Sequence, residues 1–122
     1  LLLIETCNDT RSLKSALLAV DRLSREVGFD IPVIVSGTIE PTGTMLAGQT
    51  AEALVASIGH RRLLAIGLNC ATGPEFMTDH IRTIHEMSPV RVSCYPNAGL
   101  PNVEGSYDLT PDGLASQLGK FV

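Results

Sequence analysis

The sequence predicts an α/β fold in which four β-strands alternate with four α-helices. Short apolar runs occupy residues 1–5, 32–36, 63–68 and 90–95. Each run is followed by a segment whose apolar residues recur every three or four positions, as on one face of a helix. Such alternation indicates right-handed βαβ crossovers and a parallel sheet. An eight-stranded barrel takes about 250 residues. Four βα units in 122 residues therefore fit half of a (β/α)8 TIM barrel, and a small open sheet fits equally well.

The first βα unit opens with four aliphatic residues and ends in Glu5, a pattern typical of a strand covered on both faces. Asp9 or Thr10 is expected to cap the helix that follows, and Gly28 is expected to end it. The apolar stripe of this helix is formed by Leu13, Ala16, Leu17, Val20, Leu23 and Val27.

The second and third units repeat this order. The β-branched residues of 32–36 predict a strand, and a loop rich in glycine and proline separates it from Thr50. Thr50 is expected to cap a helix that stops at Gly59. The apolar run 63–68 then predicts the third strand, and Pro74 favours the first turn of the helix that follows it.

The fourth unit begins with the strand predicted for residues 90–95. A long loop, residues 96–109, follows this strand. Thr110 and Pro111 are expected to start the last helix, since threonine is a good N-cap and proline fits the first turn.

Composition limits the classes of function. Hydrophobic residues make up 44% of the 122 residues, and charged residues make up 18%, against a usual share of about 25%. This composition indicates a single domain with a buried core. The formal net charge of −4 argues against nucleic acid as a partner. No apolar run approaches the roughly 18 residues of a membrane span, and no secretory leader pattern is present, so we expect a cytoplasmic protein that does not enter a membrane.

The cysteines and the start of the chain add two expectations. Cys7, Cys70 and Cys94 are far apart and form no C-x-x-C pair, which indicates reduced thiols rather than disulfides or a self-contained zinc knuckle. The chain begins inside an apolar run without a methionine. We therefore interpret residues 1–122 as one partial domain.

The candidate ligand-binding residues stand where the predicted strands end. In barrels and in open parallel sheets alike, ligands bind beyond the carboxyl ends of the strands. The residues at these ends are Glu5, Ser36-Gly37, Asn69-Cys70 and Tyr95-Pro96-Asn97.

Cys70 is the most distinctive of these residues, because a thiol at a strand end ahead of a helix can act as a nucleophile or a metal ligand. A free cysteine also packs as a small hydrophobe, so both interpretations stay open for Cys70, whereas we interpret Cys7 and Cys94 as inert. Glu5 is expected to pair with a ligand ammonium, or else with a salt-bridge or backbone partner. The three histidines lack the spacing of metal ligands and fit solvated or packed positions better.

A nucleotide-binding alternative comes from residues 43–50. Their sequence nearly matches the phosphate loop G-x-x-x-x-G-K-[ST], but Gln49 stands in the lysine position. The connection from the preceding strand is also too long. Nucleotide binding is therefore the weaker hypothesis.

Four stretches carry a resemblance to a known family. They are Leu3-Ile4-Glu5-Thr6, Ser36-Gly37-Thr38-Ile39, Gly67-Leu68-Asn69-Cys70-Ala71 and Pro96-Asn97-Ala98-Gly99-Leu100-Pro101-Asn102. Together they resemble the homocysteine-binding domain of cobalamin-dependent methionine synthases, and the similarity spans nearly the whole chain. The Gly-Leu-Asn-Cys element is similar in betaine-dependent and S-methylmethionine-dependent homocysteine methyltransferases as well.

The resemblance implies a site and a reaction. The four units would be strands four to seven of a (β/α)8 barrel. Glu5 would bind the amino group of homocysteine, with Asn69 and Asn97 as further substrate-binding residues. Cys70 would be one of three thiolate ligands of a zinc ion that activates the substrate thiol. The other two ligands, an adjacent cysteine pair in the family, are not in this sequence.

The resemblance also implies partners outside these residues. Methylcobalamin on another domain would donate the methyl group, and the remaining barrel strands and a folate domain would belong to the same protein. Two alternatives stay open: a betaine-type or S-methylmethionine-type enzyme, or a catalytically silent half-barrel that only binds or assembles with another piece.

Overall fold

The computed structural model describes residues 1–121 and confirms the predicted α/β class. Its elements are β1 (Leu2–Cys7), α1 (Thr10–Val27), β2 (Val33–Gly37), α2 (Ala51–Ile58), β3 (Ala65–Asn69), α3 (Pro74–Met87), β4 (Arg91–Tyr95) and α4 (Pro111–Leu118). Strands and helices alternate strictly, as the hydrophobic pattern predicts.

The strand order decides between the two architectures that the pattern left open. The four strands form one parallel sheet in the order β1-β2-β3-β4. A doubly wound sheet reverses its strand order at a switch point, and this sheet has no reversal. Because each crossover is right-handed and advances in the same direction, all the connecting helices lie on one face. This is the winding of half of a (β/α)8 barrel.

The hydrophobic core lies between that face of the sheet and the helices. Central strands β2 and β3 contribute Val35, Ile66 and Leu68, each essentially without solvent exposure. The helices contribute Leu13, Leu17, Leu54, Ile58, Met77 and Ile84 to the same cluster. Alternation along each strand therefore sends the remaining side chains to the opposite, concave face.

The concave face corrects the expectation for the first strand. Leu3 is 48% exposed and Leu2 is 36% exposed, so β1 is not covered on both faces. Within residues 1–121, β1 and β4 are the outermost strands, and no helix covers the concave face that Leu3 shares with Ile34. The aliphatic run at the start of the chain is nevertheless the composition of a barrel interior.

Local signals explain most of the element boundaries. Asp9, rather than Thr10, caps α1, and its carboxylate accepts a hydrogen bond of 2.7 Å from the Ser12 N–H. Thr50 and Thr110 cap α2 and α4 as predicted. The third strand begins at Ala65 instead of residue 63, because the Leu63 N–H donates to the Arg61 carbonyl in a turn. No helix in residues 1–121 is both long and apolar enough to cross a bilayer.

Candidate active site

The site is built from side chains at the carboxyl ends of the four strands. The ladder pairs Ser36 with Gly67 and Asn69 with Tyr95, which places these residues on the concave face. Glu5 lies near the end of β1, the neighbouring strand of β2. The polar ends that the sequence predicts therefore gather at one mouth of the half-barrel.

Asn69 is the centre of the hydrogen-bond network at this mouth. Its Oδ1 accepts from the Ser36 hydroxyl at 2.6 Å and from the Thr6 N–H at 3.1 Å. Its Nδ2 donates to the Thr6 hydroxyl at 2.9 Å and to Cys70 Sγ at 3.3 Å. The side chain is 4% exposed, and both of its polar atoms are engaged. Asn69 thus ties the end of β1 to the end of β3.

Backbone strain is concentrated in the same place. Thr6, Cys70 and Ala71 have φ values of 55°, 42° and 59°, and no other non-glycine residue in the described chain has a positive φ. This region costs side-chain-bearing residues free energy, most of all β-branched ones such as Thr6. The network with Asn69 and the hydrogen bond from the Cys70 N–H to the Tyr95 carbonyl, 3.2 Å long, hold the two segments in it.

The three cysteines have different surroundings. Cys70 is half-buried at the mouth, beside the Asn69 amide. Cys94 packs against the core, and burial raises the pKa of its thiol to about 11. Cys7 also packs against the core, where burial and the nearby Asp9 charge raise its pKa. Both environments agree with the interpretation of Cys7 and Cys94 as packed, unreactive thiols.

Glu5 has a partner other than those expected for a structural carboxylate. The Tyr95 hydroxyl, on the opposite outer strand, donates to Glu5 Oε2 at 3.3 Å. Burial raises the pKa of Tyr95, and the Glu5 charge raises it further, against a lowering by a hydrogen bond with Ser36. The phenol therefore stays protonated and able to donate at neutral pH. Glu5 takes part in none of the ion pairs within residues 1–121.

Asn97 lies beside the segment that follows Cys70. Its backbone N–H donates to the Thr72 carbonyl at 3.2 Å, and the residue is half-buried. The structure thus links Glu5 to Tyr95, Asn69 to Cys70, and Asn97 to the loop behind Cys70. Tyr95 is one of the candidates that the sequence places at the strand ends, and the structure adds its hydrogen bond to Glu5. Thr6 is not among those candidates, and nothing in the sequence signals its positive φ.

The described residues do not make a complete metal site. Within residues 1–121, no three His, Cys, Asp or Glu side chains are grouped in a way that could hold a metal ion. A structural or catalytic zinc site in a protein takes three or four protein ligands. Cys70 fits the role of one soft thiolate ligand, and any further ligands would have to come from outside this group.

Residues 43–50 do not form a phosphate cradle. The N–H groups of Met45, Ala47 and Gly48 donate to the carbonyls of Gln49, Asn8 and Met45 at 2.7–3.2 Å. A phosphate loop needs such N–H groups free and pointing at the ligand. The loop is instead anchored by Met45, which is buried in the core.

A cavity of about 700 Å³ lies away from the site. It is lined by the second half of α1, the segment that leads to Val33 at the start of β2, and the turn from His60 to Leu63 after α2. It is therefore at the amino ends of the strands, opposite to the mouth where α/β proteins bind ligands.

One comparison with known proteins bears on this site. A family profile described as homocysteine S-methyltransferase matches residues 1–122, which is the whole chain.

Proposed function

This chain belongs to the homocysteine S-methyltransferase family, and we propose that it is part of the homocysteine-binding domain of a methionine synthase. Residues 1–122 would form one partial domain, strands four to seven of the barrel. One observation carries the proposal: a carboxylate and a thiol, Glu5 and Cys70, stand at one mouth of the half-barrel. The carboxylate would take the ammonium group of an amino-acid thiol, and the cysteine would give one ligand to the metal that binds its sulfur.

Recognition of the substrate would divide between its two ends. The Glu5 carboxylate suits the ammonium of homocysteine, since a hydrogen bond between charged groups is stronger than a neutral one. Asn69 would contact the substrate from the floor of the site. Its hydrogen bonds with Thr6, Ser36 and Cys70 would hold the amide in place there. Asn97 would approach from the loop beside Cys70.

Cys70 would give one thiolate ligand to a zinc ion that is completed by residues outside 1–121. The N–H that Asn69 donates to Cys70 Sγ is the kind of outer contact that orients a metal ligand. When bound, zinc favours the thiolate form of a coordinated thiol at neutral pH and so supplies a nucleophilic sulfur.

We propose that the methyl donor is methylcobalamin, carried on another domain of a cytoplasmic protein that also holds the remaining barrel strands and a folate domain. The Ser-Gly-Thr-Ile and Pro-Asn-Ala-Gly-Leu-Pro-Asn stretches favour this donor by their resemblance to the cobalamin-dependent branch. Betaine and S-methylmethionine are the alternative donors.

The test compares donors with the full-length protein that contains these residues. Zinc-loaded protein is incubated with homocysteine and with methylcobalamin, betaine or S-methylmethionine, and methionine is quantified. We expect methionine to form with methylcobalamin and not with betaine or S-methylmethionine. Methionine from betaine or S-methylmethionine would select the other branch of the family, and no methionine from any donor would favour the silent half-barrel.

A further inference from the structure

A side-chain hydrogen bond joins the two outermost strands across the mouth. Tyr95 on β4 donates its hydroxyl proton to Glu5 Oε2 on β1, a contact that spans 90 positions of the sequence. Strands β2 and β3 lie between them. No backbone ladder connects β1 to β4, so this bond is a direct link between the two ends of the described sheet.

The concave-face residues in the row below Tyr95 are small, which leaves space above that part of the sheet open. The concave-face positions one step before the mouth are Ser36 on β2, Gly67 on β3 and Ser93 on β4. A Cβ on Gly67 would lie 1.8 Å from the Ser93 carbonyl oxygen, so no larger residue fits there. The long side chains of Glu5 and Tyr95 can therefore meet over a low floor.

The hydrogen bond engages only one oxygen of the carboxylate. In the part of the chain that the structure describes, Tyr95 holds Oε2, while Oε1 accepts no hydrogen bond. Tyrosine has only two rotatable side-chain bonds to the ring, whereas a free glutamate samples many rotamers. A rigid donor on Oε2 would therefore fix the direction in which Oε1 points.

We propose that Tyr95 is a positioning residue, which orients Glu5 so that its free oxygen receives the ammonium group of the amino-acid substrate. The proposal rests on the proposed function of the site. It adds a specificity element: thiols without an amino group gain nothing from the Tyr95–Glu5 pair.

The experiment uses the full-length protein and the variant Tyr95→Phe, which removes the hydroxyl and keeps the ring. We expect the KM for homocysteine to rise roughly 3- to 10-fold, with kcat nearly unchanged. Binding of 4-mercaptobutyrate, which has the thiol but no amino group, should not change. Tyr107→Phe is the matched control, because this second and last tyrosine of the chain is 66% exposed on the loop after β4.

A double-mutant cycle separates positioning from a general structural role. In a Glu5→Ala background, Tyr95→Phe should change the KM by less than about twofold, because the group it positions is gone. An equal effect in both backgrounds would overturn the proposal, as would an equal loss of homocysteine and 4-mercaptobutyrate binding. If unmodified protein does not bind homocysteine, the proposed function fails and this inference with it. If it binds homocysteine and Tyr95→Phe binds it equally well, only the inference fails.

Discussion

At the scale of single residues, Cys70 and Cys94 show how the surroundings of a thiol decide its role. Cys70 and Cys94 both follow or end apolar strands, and the sequence alone separates them only by position. In the structure, Cys94 Sγ lies 3.8 Å from Met77 Sδ at the edge of the core, whereas Cys70 Sγ accepts a hydrogen bond from the Asn69 amide at the mouth. The same residue type therefore has a packing role at one strand end and a candidate ligand role at the next.

The buried environment of Cys94 predicts slow alkylation. Burial raises its pKa to about 11. Because only the thiolate reacts, its labelling by iodoacetamide near about pH 8 should be roughly 100-fold slower in native protein than in denatured protein. The native rate should keep rising toward about pH 11, and mass spectrometry of the Cys94 peptide measures it. Equal native and denatured rates would contradict the burial.

The same thiol predicts a pH dependence of stability. Since the pKa of Cys94 is higher in the folded than in the unfolded protein, the free energy of unfolding should fall as pH rises from about 9 toward 11.

The zinc-ligand role that we propose for Cys70 predicts a selective loss of metal. In the full-length protein, Cys70→Ala should abolish both stoichiometric zinc binding and methionine formation, because the two thiolates left in the proposed site would be too few to hold zinc. Cys7→Ala and Cys94→Ala are the matched controls and should change neither property. Zinc is measured after chelation and re-addition. A Cys70→Ala protein that retains one zinc per chain and full activity would remove Cys70 from the metal site.

The location of Glu5 and Cys70 at the mouth could be predicted, because a polar residue after an apolar run indicates that a strand ends nearby, although β1 continues to Cys7. The conformation of Thr6 could not be predicted, because threonine seldom adopts a positive φ and its hydrogen bonds with Asn69 connect residues 63 positions apart. The engaged amide of Asn69 was also beyond prediction, since all its partners except Cys70 lie on other strands.

At the scale of elements, helix starts were easier to predict than strand starts. Caps act locally, so Thr50 and Thr110 identify their helices from sequence alone. The start of β3 depends on which residues reach the ladder with β2, where Ala65 pairs with Ile34. Leu63 and Leu64 are apolar yet precede the first paired residue, although the Leu64 N–H already donates to the Val33 carbonyl at 2.7 Å. Hydrophobicity therefore places the strand two residues too early.

The close approach of β3 and β4 predicts that Gly67 cannot be replaced by a larger residue without loss of stability. Gly67→Ala would place a methyl group 1.8 Å from the Ser93 carbonyl oxygen and 2.4 Å from its hydroxyl. Relieving this clash requires backbone movement, so we expect a loss of about 3 kcal/mol or more in the free energy of unfolding.

Gly28→Ala is the comparison for this substitution. Gly28 has a φ of +78° but open space around it, so alanine there should cost only about 1 to 2 kcal/mol. Denaturant unfolding of the full-length variants measures both losses. If the Gly28 variant were less stable than the Gly67 variant, β3 and β4 would be able to move apart at Gly67 at little cost in free energy.

The molecule as a whole has one covered and one open face. Its helices bury one side of the sheet, and Leu3 is exposed on the concave side. Within residues 1–121, β1 and β4 are the outermost strands of the sheet. Unpaired strand edges and exposed apolar surface both promote association.

The 122-residue chain by itself should therefore self-associate. Sedimentation velocity at increasing concentration should show species larger than a monomer, together with binding of a hydrophobic dye. Leu3→Lys should reduce association because it places a charge on the open face. Leu18→Lys is the matched control, since Leu18 is 58% exposed on α1. A compact monomer that binds no dye would indicate that the open face is closed in solution.

The sequential strand order has a consequence for the order of folding. Each ladder joins neighbouring βα units, such as Leu2 with Val33 and Ile34 with Ala65, so each new strand pairs with the strand that precedes it in the chain. The chain can add one βα unit after another as it leaves the ribosome. The links from Thr6 to Asn69 and from Glu5 to Tyr95 reach back over 63 and 90 positions. We therefore expect the contacts of the mouth to form only after β4 has joined the sheet, although β1 is the first strand of the chain.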